Sequence, residues 1–577
     1  MRSVDDEKIG ASSSAGSKLR IANALLTSRQ RTKLLLLTVA RTTVGFGDLG
    51  LAAAMYLLFV LLQGQAPAHR YAWMPKTILV ASALAAVLVV VRALADVLSA
   101  RAGVRQIQDL ANDFMLRLTK GYCEMQWNRF VELNRGELLN VSVHTTREAA
   151  DFYHRCVEMT ASVVIVGVMT AALFYQSAAA AAGFTIAVAA FYGVHRLIIR
   201  KRVQAAAAAR EKSLGKLQRD LSGLFSSGKE IRTYGNQDYF LGRIRGEAEE
   251  FAAGNRSAIF LPQIARIIAD QGTVLLFLGL IVGAQLLQGN THELLALLAF
   301  YFVLSRRLLP LVSQLSLIAG QMESSFENVR VVDAELNCCR LFRAATLSAV
   351  KPASGIALQL ENVSFAFNGG APIIRDVSML LRQGEIAVLH GASGAGKTSL
   401  LNIVSGVLQP TSGSVRVDRA EISYVPQEIA LLDDTVRNNL LFGLPRMDDR
   451  NLMKALAVAQ LDDFVASLPR GLDTGVGDNG ALFSGGERQR FGLARAILRG
   501  CRLILLDEAT SALDEKNERE VLRNLAASGV AILFVTHRRH AHQWAHRLYR
   551  LENGRLIEVA SATRAIDEFA VAALGRA

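Results

Sequence analysis

The stretch GASGAGKTSL, residues 391–400, follows an apolar run, EIAVLH (385–390), that predicts a buried strand. It matches the pattern G-x-x-x-x-G-K-[ST], in which a glycine-rich loop joins a strand to a helix and its backbone N–H groups bind phosphates. We expect Lys397 to reach the β- and γ-phosphates of a nucleoside triphosphate and Thr398 to offer its hydroxyl to Mg²⁺. The predicted nucleotide contacts are Gly391, Ala392, Ser393, Gly394, Ala395, Gly396, Lys397, Thr398 and Ser399. The sequence therefore predicts an α/β P-loop NTPase domain.

A second apolar run, RLILLDE (502–508), predicts another strand, which ends in two acids. Asp507 supplies a carboxylate for Mg²⁺, and the neighbouring Glu508 can act as the base for the attacking water. The alternative is an acidic strand end without a catalytic role, and the P-loop in the same domain argues against it. Together the two runs predict hydrolysis of the triphosphate.

The octamer FSGGERQR (483–490) gives this domain a family resemblance. It resembles the signature L-S-G-G-Q-R-Q-R of the ATP-binding cassette (ABC) transporters. The family's other motifs are present on either side of it in the family's order: Phe367 in VSFAF, Gln427 in YVPQ, Asp514 in SALD and His537 in FVTHR. The resemblance implies ATP as the nucleotide, with Phe367 stacked on adenine, Gln427 sensing Mg²⁺ and His537 contacting the γ-phosphate.

The signature also implies a dimer. In this family two cassettes pair head to tail, so that the signature of one chain closes over the ATP held by the other. The signature contacts would be Ser484, Gly485, Gly486 and Glu487, and Asp514 would lie in the loop that crosses the interface. A homodimer is the simpler arrangement because one chain carries every motif, and a heterodimer with a related half is the alternative. Phe483, Glu487 and Phe367 depart from the commoner Leu, Gln and Tyr, but a Phe ring still stacks.

The first 320 residues read as a membrane domain. Apolar residues make up 51% of the chain, and six apolar stretches come close to the roughly 20 residues that cross a bilayer. The predicted spans are 40–63, 77–98, 158–176, 178–198, 264–288 and 294–318. Two long polar segments, 100–157 and 199–260, are rich in Arg and Lys, so the positive-inside rule places them and both termini in the cytosol. The fold class is thus a polytopic α-helical membrane domain, six spans with long cytosolic extensions, joined to an ABC-type cassette.

The predicted domains are a cytosolic N-terminal segment (1–33), a transmembrane domain (34–321), a linker (322–356) and the cassette (357–577). The net charge of +13 is concentrated beside the apolar runs, so we expect no nucleic-acid partner. The five cysteines form no C-x-x-C pair, which argues against a zinc site or a disulfide scaffold. The polar N-terminus lacks the apolar core of a cleavable signal, so the first span is expected to direct insertion.

Several charged residues fall within the predicted spans, where they are costly and by default mark a substrate path or an ion pair. Arg306 and Arg307 have no acid near them in the sequence, and we expect them to line a basic cavity for an anionic amphiphile. Arg266 with Asp270, and Arg92 with Asp96, are spaced i,i+4 and can either line that cavity or pair with each other. Asp48 in the first span belongs to the same set.

Six spans followed by one cassette is the layout of a half-size ABC exporter. The resemblance implies ATP-driven export or flipping of an amphipathic substrate across a cytoplasmic membrane, with bacterial origin favoured by the Ala- and Arg-rich composition. A lipid-linked or other anionic amphiphile is the favoured substrate; peptide, siderophore or drug export, and more remotely a non-transport ATPase, are alternatives. Residues 129–140 and 228–240 resemble the segments that couple membrane helices to cassettes, and Asp478 in TGVGDNG is a further coupling candidate, whereas Gly475 stands where an acid is usual.

Overall fold

The computed structural model describes residues 15–62, 77–176, 212–286, 291–344, 352–367, 370–477 and 480–560, with single positions between 178 and 210. Within 258–324 the helices are described, but many of their side chains are not. The chain divides into two compact units. One comprises Met1–Glu124 and Leu133–Leu341, and the other comprises Met125–Glu132 and Phe342–Ala577.

The first unit is helical. Its helices, with α4 of the second unit in chain order, are α1 (Ala15–Leu25), α2 (Ser28–Leu62), α3 (Ile78–Cys123), α4 (Trp127–Val131), α5 (Arg135–Asn140), α6 (Thr146–Gln176), α7 (Gly228–Tyr234), α8 (Gln237–Leu286) and α9 (Thr291–Leu341). Helix α3 has 46 residues, so at 1.5 Å per residue it is about 69 Å long, more than twice the thickness of a hydrocarbon core. The long helices therefore extend well beyond a membrane, as the polar segments predict.

Three helical segments in the described part of the chain are long and apolar enough to cross a bilayer: Ser28–Met55, Ile78–Cys123 and Arg135–Tyr175. They overlap the first three predicted spans, 40–63, 77–98 and 158–176. The fourth, 178–198, lies almost wholly outside the described residues, and the fifth and sixth lie on α8 and α9. Helix α9 runs without a break to Leu341, so the first part of the predicted linker is helical.

Helices α2, α3, α6 and α9 pack against one another as a bundle. On α3 the buried residues recur at helical spacing, from Gly103 through Leu110, Phe114 and Leu118 to Tyr122. Such a stripe turns one face of the helix toward its neighbours. Helix α1 is held to the bundle by the Tyr153 hydroxyl, which donates to the carbonyl oxygen of Ala22 at 2.7 Å.

The second unit is an α/β domain. Its strands are β1 (Ile356–Phe365), β2 (Ile374–Arg382), β3 (Ile386–His390), β4 (Ser412–Arg416), β5 (Ile422–Val425), β6 (Leu503–Asp507), β7 (Ala531–Val535), β8 (Arg547–Glu552) and β9 (Arg555–Ala560). Its helices are α10 (Lys397–Val404), α11 (Val436–Leu441), α12 (Asp449–Val458), α13 (Asp462–Ser467), α14 (Gly485–Leu498) and α15 (Glu515–Ala527). The strands form an antiparallel sheet, β2-β1-β4, and a six-stranded sheet, β5-β6-β7-β3-β8-β9.

The strand order of the larger sheet positions the site. From β5 to β8 all neighbours are parallel, and only β9 is antiparallel. Every residue of β6 and β7 is buried, because apolar cores cover both faces of a parallel sheet. The carboxyl ends of β5, β6, β7 and β3 therefore meet at one edge, where ligands bind in open parallel sheets.

Candidate functional site

The glycine-rich loop leaves β3 at this edge and enters α10. A Cβ on Gly391 would lie 2.4 Å from the carbonyl oxygen of Leu551. Gly396 has a φ of 98°, a backbone conformation that residues other than glycine disfavour. The Lys397 ammonium lies within the loop and donates to the carbonyl oxygens of Gly391 at 2.9 Å and Ala392 at 2.8 Å. Burial lowers the pKa of Lys397, while the nearby Glu508 and Asp507 oppose that shift. The loop thus has the shape that the motif predicts.

Oxygen ligands suited to Mg²⁺ lie beside the loop. The Thr398 hydroxyl is 3.5 Å from Oδ1 of Asp507, and the Tyr424 hydroxyl donates to Oδ2 at 3.2 Å. Burial raises the pKa of Asp507, and the hydrogen bonds from Thr398 and Tyr424 oppose that rise. A carboxylate and a hydroxyl are the hard oxygen donors that Mg²⁺ takes together with substrate phosphates, so these residues fit the ion.

Three side chains that follow neighbouring strands meet at Glu508. Its Oε1 lies 2.8 Å from Nε2 of His537, and its Oε2 accepts a hydrogen bond from Nε2 of Gln427 at 3.3 Å. Glu508 has a φ of 50°, which a residue with a side chain adopts only when its surroundings impose it. Its N–H donates to the carbonyl oxygen of Val535 on β7 at 3.0 Å, which holds this conformation. The sheet therefore brings together all three residues that the sequence assigns to catalysis.

The signature forms the start of α14. Ser484 is its N-cap and shares a capping box with Glu487: the Glu487 N–H donates to Oγ of Ser484 at 3.3 Å, and the Ser484 N–H donates to Oε2 of Glu487 at 2.7 Å. Either Glu or Gln completes such a box, so Glu487 keeps the local structure that the commoner Gln would give. Gly485 and Gly486 begin the helix, and a Cβ on Gly486 would lie 3.1 Å from the carbonyl oxygen of Ala512.

The remaining two predicted site residues have clear local roles. The ring of Phe367 is 39% exposed and packs edge-on against Phe365, with 4.8 Å between centroids, so one surface of the ring is open for stacking. Asp514 is the N-cap of α15, and its carboxylate accepts a hydrogen bond from the N–H of Asn517 at 2.8 Å.

Three further polar residues at this edge are absent from the predicted set: Tyr424, Gln489 and Arg538. The Gln489 amide donates to Oγ of Ser511 at 2.9 Å and accepts from the N–H of Ala512 at 2.8 Å, which links α14 to the loop after Glu508. Gln489 stands inside the signature octamer and could have been selected there. Tyr424 and Arg538 adjoin known motifs, but their contacts depend on the sheet order.

The charges in the predicted spans have different outcomes. Arg92 on α3 pairs with the buried Asp48 on α2 at 2.8 Å and with Asp96 at 3.5 Å, which favours ion pairing over a cavity role for these three residues. The side chains of Arg266, Asp270, Arg306 and Arg307 lie outside the described residues, as does Asp478.

The two predicted coupling segments each contain a short helix beside a turn. Residues 228–240 include α7, which is followed by the capping residue Gly235 with a φ of 69°, and the start of α8. Residues 129–140 include most of α4 and all of α5. Helix α4 is joined to the chain that leads into the cassette, since the Gln126 N–H donates to the carbonyl oxygen of Phe342 at 2.8 Å.

Comparison with known proteins agrees with this geometry. Residues 374–511 match the family model described as ABC transporter. The ATP-dependent lipid A-core flippase of Bordetella avium is 32% identical over 336 residues, which are 56% of this chain and 56% of that protein. The protein of the same name from Cupriavidus metallidurans is 39% identical over 229 residues, 37% of this chain and 39% of the relative. The matches thus span 56% and 39% of the lengths of these two curated relatives.

A solved structure has the same fold along nearly the whole chain. The bacterial Atm1-family ABC exporter with ATP bound superposes with a TM-score of 0.71 and 19% sequence identity, covering 95% of this chain and 98% of the exporter. At this identity the likeness establishes the fold. The fold class predicted from the sequence, membrane helices joined to an ABC cassette, is confirmed.

Proposed function

We propose that this chain, a half-size ABC exporter by its cassette and its fold, uses ATP hydrolysis to export or flip an amphipathic substrate across a membrane. The observation that supports this most directly is the contact of Glu508 with both His537 and Gln427 beside the P-loop. Membrane-crossing helices and a hydrolytic site on one chain are the two parts that such transport needs.

In this mechanism the loop amides and Lys397 bind the phosphates of ATP. The ring of Phe367 would stack on adenine, and Thr398 and Asp507 would hold Mg²⁺, which would supply positive charge to neutralise the phosphates. Glu508 orients the attacking water and accepts its proton as the bond between the γ-phosphorus and the ADP oxygen breaks. His537 keeps the Glu508 carboxylate in place and reaches the γ-phosphate, while Gln427 reports the state of the site to the membrane unit.

The active form in this proposal is a dimer, with a homodimer preferred. The N-terminus of α14 carries partial positive charge, which suits a phosphate supplied by a second cassette. ATP would bring the two cassettes together and reorient the membrane helices, and hydrolysis would reset them. Residues 129–140 and 228–240, with Asp478, are the proposed coupling elements. A bacterial cytoplasmic membrane with both termini in the cytosol is the proposed location.

The proposed substrate is an anionic amphiphile such as a lipid-linked sugar or a phosphorylated lipid. Two relatives are named as lipid A-core flippases, which supports a lipid. Arg266, Arg306 and Arg307, with Asp270, are the proposed cavity residues, because paired arginines in a span favour a phosphate group. Peptides, siderophores and drug-like molecules are the competing substrates.

The test is ATPase activity of the full chain in nanodiscs, with phosphorylated lipids, zwitterionic lipids and amphipathic peptides as separate additions. We expect stimulation by phosphorylated lipid in the wild type, loss of that stimulation in Arg306→Ala/Arg307→Ala, and unchanged basal hydrolysis in that variant. Stimulation by peptides alone, or equal stimulation in the double variant, would contradict the anionic-lipid assignment. Full activity in the absence of any membrane mimic would favour the non-transport alternative.

A further inference from the structure

Arg538 directly follows His537 and contacts three acceptors on another segment. Its Nη1 donates to the carbonyl oxygen of Leu513 at 2.7 Å and to Oε2 of Glu518 at 3.0 Å, and its Nη2 donates to the carbonyl oxygen of Ser511 at 2.6 Å. Two of these acceptors belong to the SALD segment, residues 511–514, and the third is on α15. A planar guanidinium suits such a set because its donors point in fixed directions.

The partner carboxylate is unusually costly to leave unpaired. Glu518 is fully buried, and its second oxygen, Oε1, accepts a hydrogen bond from the Thr510 hydroxyl at 2.6 Å. A buried carboxylate requires a cation and hydrogen-bond donors, so loss of the Arg538 guanidinium would weaken the compensation of the Glu518 charge. The ion pair therefore fixes the guanidinium of Arg538, and the guanidinium fixes the two carbonyl oxygens.

These contacts connect the SALD segment to both Glu508 and His537. The Ser511 N–H donates to the carbonyl oxygen of Glu508 at 3.0 Å, so the SALD segment is anchored to Glu508 at one end. Arg538, the residue after His537, binds the same segment through the carbonyl oxygen of Ser511. Nε2 of His537 in turn lies 2.8 Å from Oε1 of Glu508. A displacement of residues 511–514 would therefore alter the distance between the imidazole and the carboxylate.

We propose that Arg538, held by Glu518, is a positioning residue that sets the His537–Glu508 geometry according to the position of the SALD segment. This rests on the proposed hydrolytic function of Glu508. The contacts of Arg538 are with Leu513, Ser511 and Glu518 and not with the P-loop, so we expect it to affect the chemical step and not ATP affinity. Because the SALD segment is expected at the cassette interface, the same contacts would make hydrolysis depend on pairing of the cassettes.

The experiment measures ATPase rate against ATP concentration for the full chain in nanodiscs. In Arg538→Lys the charge next to Glu518 is kept, but one ammonium cannot hold both carbonyl oxygens in the same geometry. We expect kcat to fall about 10-fold or more, with KM for ATP within about 2-fold of the wild type. Glu518→Gln keeps an acceptor for Arg538 and should lose less activity than Arg538→Lys.

Arg519→Lys is the matched control. Arg519 lies on the same helix as Glu518 and pairs with Glu515 at 3.5 Å, but both side chains are about half exposed or more, at 48% and 61%. We expect it to retain wild-type kcat and KM.

Unchanged kcat in Arg538→Lys would overturn the proposal. Equal losses of kcat, ATP affinity and thermal stability would also overturn it, because they would mark a merely structural residue. If Arg538→Lys does not fold, Glu518→Gln decides the proposal. A reduced kcat at unchanged KM in that variant would support the proposal. Wild-type kcat and KM, or equal losses of kcat and ATP affinity, would overturn it. An inactive wild type would instead contradict the proposed function.

Discussion

Substitution of Phe483 by Leu, the residue commoner at the start of the signature, should destabilise the cassette. Phe483 is only 5% exposed, and its ring centroid lies 5.3 Å from that of Phe464 and 5.5 Å from that of Phe491. Two aromatic pairs contribute about 0.5–1.5 kcal/mol each, and the smaller side chain leaves a partial cavity that adds about 0.5 kcal/mol. The free energy of unfolding should therefore fall by about 1.5–3.5 kcal/mol.

The assay is thermal unfolding of the detergent-purified full chain, followed by intrinsic tryptophan fluorescence. Trp544 packs against the same core as Phe483 and reports on this region. For a domain of this size we expect the unfolding midpoint to fall by roughly 3–14 °C. Leu482→Ala is the control, since Leu482 is adjacent but 56% exposed and should leave the midpoint nearly unchanged. A midpoint within about 1 °C of the wild type in Phe483→Leu, or an equal shift in the control, would refute the packing argument.

Three further outcomes are expected. Arg92→Gln should cost about 3–5 kcal/mol because it removes the cation 2.8 Å from the buried carboxylate of Asp48, and adding Asp48→Asn should restore most of the unfolding midpoint. Burial lowers the pKa of His546, whose Nδ1 accepts a hydrogen bond from the Ile386 N–H. The unfolded chain therefore binds the proton more readily, and stability should fall as pH drops below about 6.5. Thermal unfolding of His546→Gln should show a flatter dependence on pH. Gly391→Ala should weaken binding of a fluorescent ATP analogue at least about 10-fold, because its Cβ would displace the loop.

The sequence predicts the cassette site well because each motif is contiguous and its chemistry requires particular residues. Glycine at 391 and 396, lysine at 397 and the acids at 507 and 508 are all readable within short windows. What joins them is the strand order β5-β6-β7-β3, which sequence spacing does not contain. The family resemblance assigns these residues to one ATP site, but it does not give that strand order.

The contacts that sequence reasoning missed are long-range ones between motifs. Arg538 pairs with Glu518, and each residue alone resembles an ordinary surface charge in the sequence. The i,i+4 spacing of Arg92 and Asp96 did suggest an ion pair, yet the closer partner of Arg92 is Asp48 on a different helix. Helix periodicity gives contacts along one element, whereas packing between elements requires the fold.

The most direct test of ATP-driven transport uses the full chain reconstituted in proteoliposomes with a fluorescent phosphorylated lipid. Lipid movement between leaflets is followed in wild type and in Glu508→Gln, with ATP and with a non-hydrolysable analogue. We expect movement only in the wild type with ATP, and retained analogue binding in Glu508→Gln. Movement at the same rate without ATP, or in Glu508→Gln, would contradict the claim that hydrolysis at Glu508 drives transport.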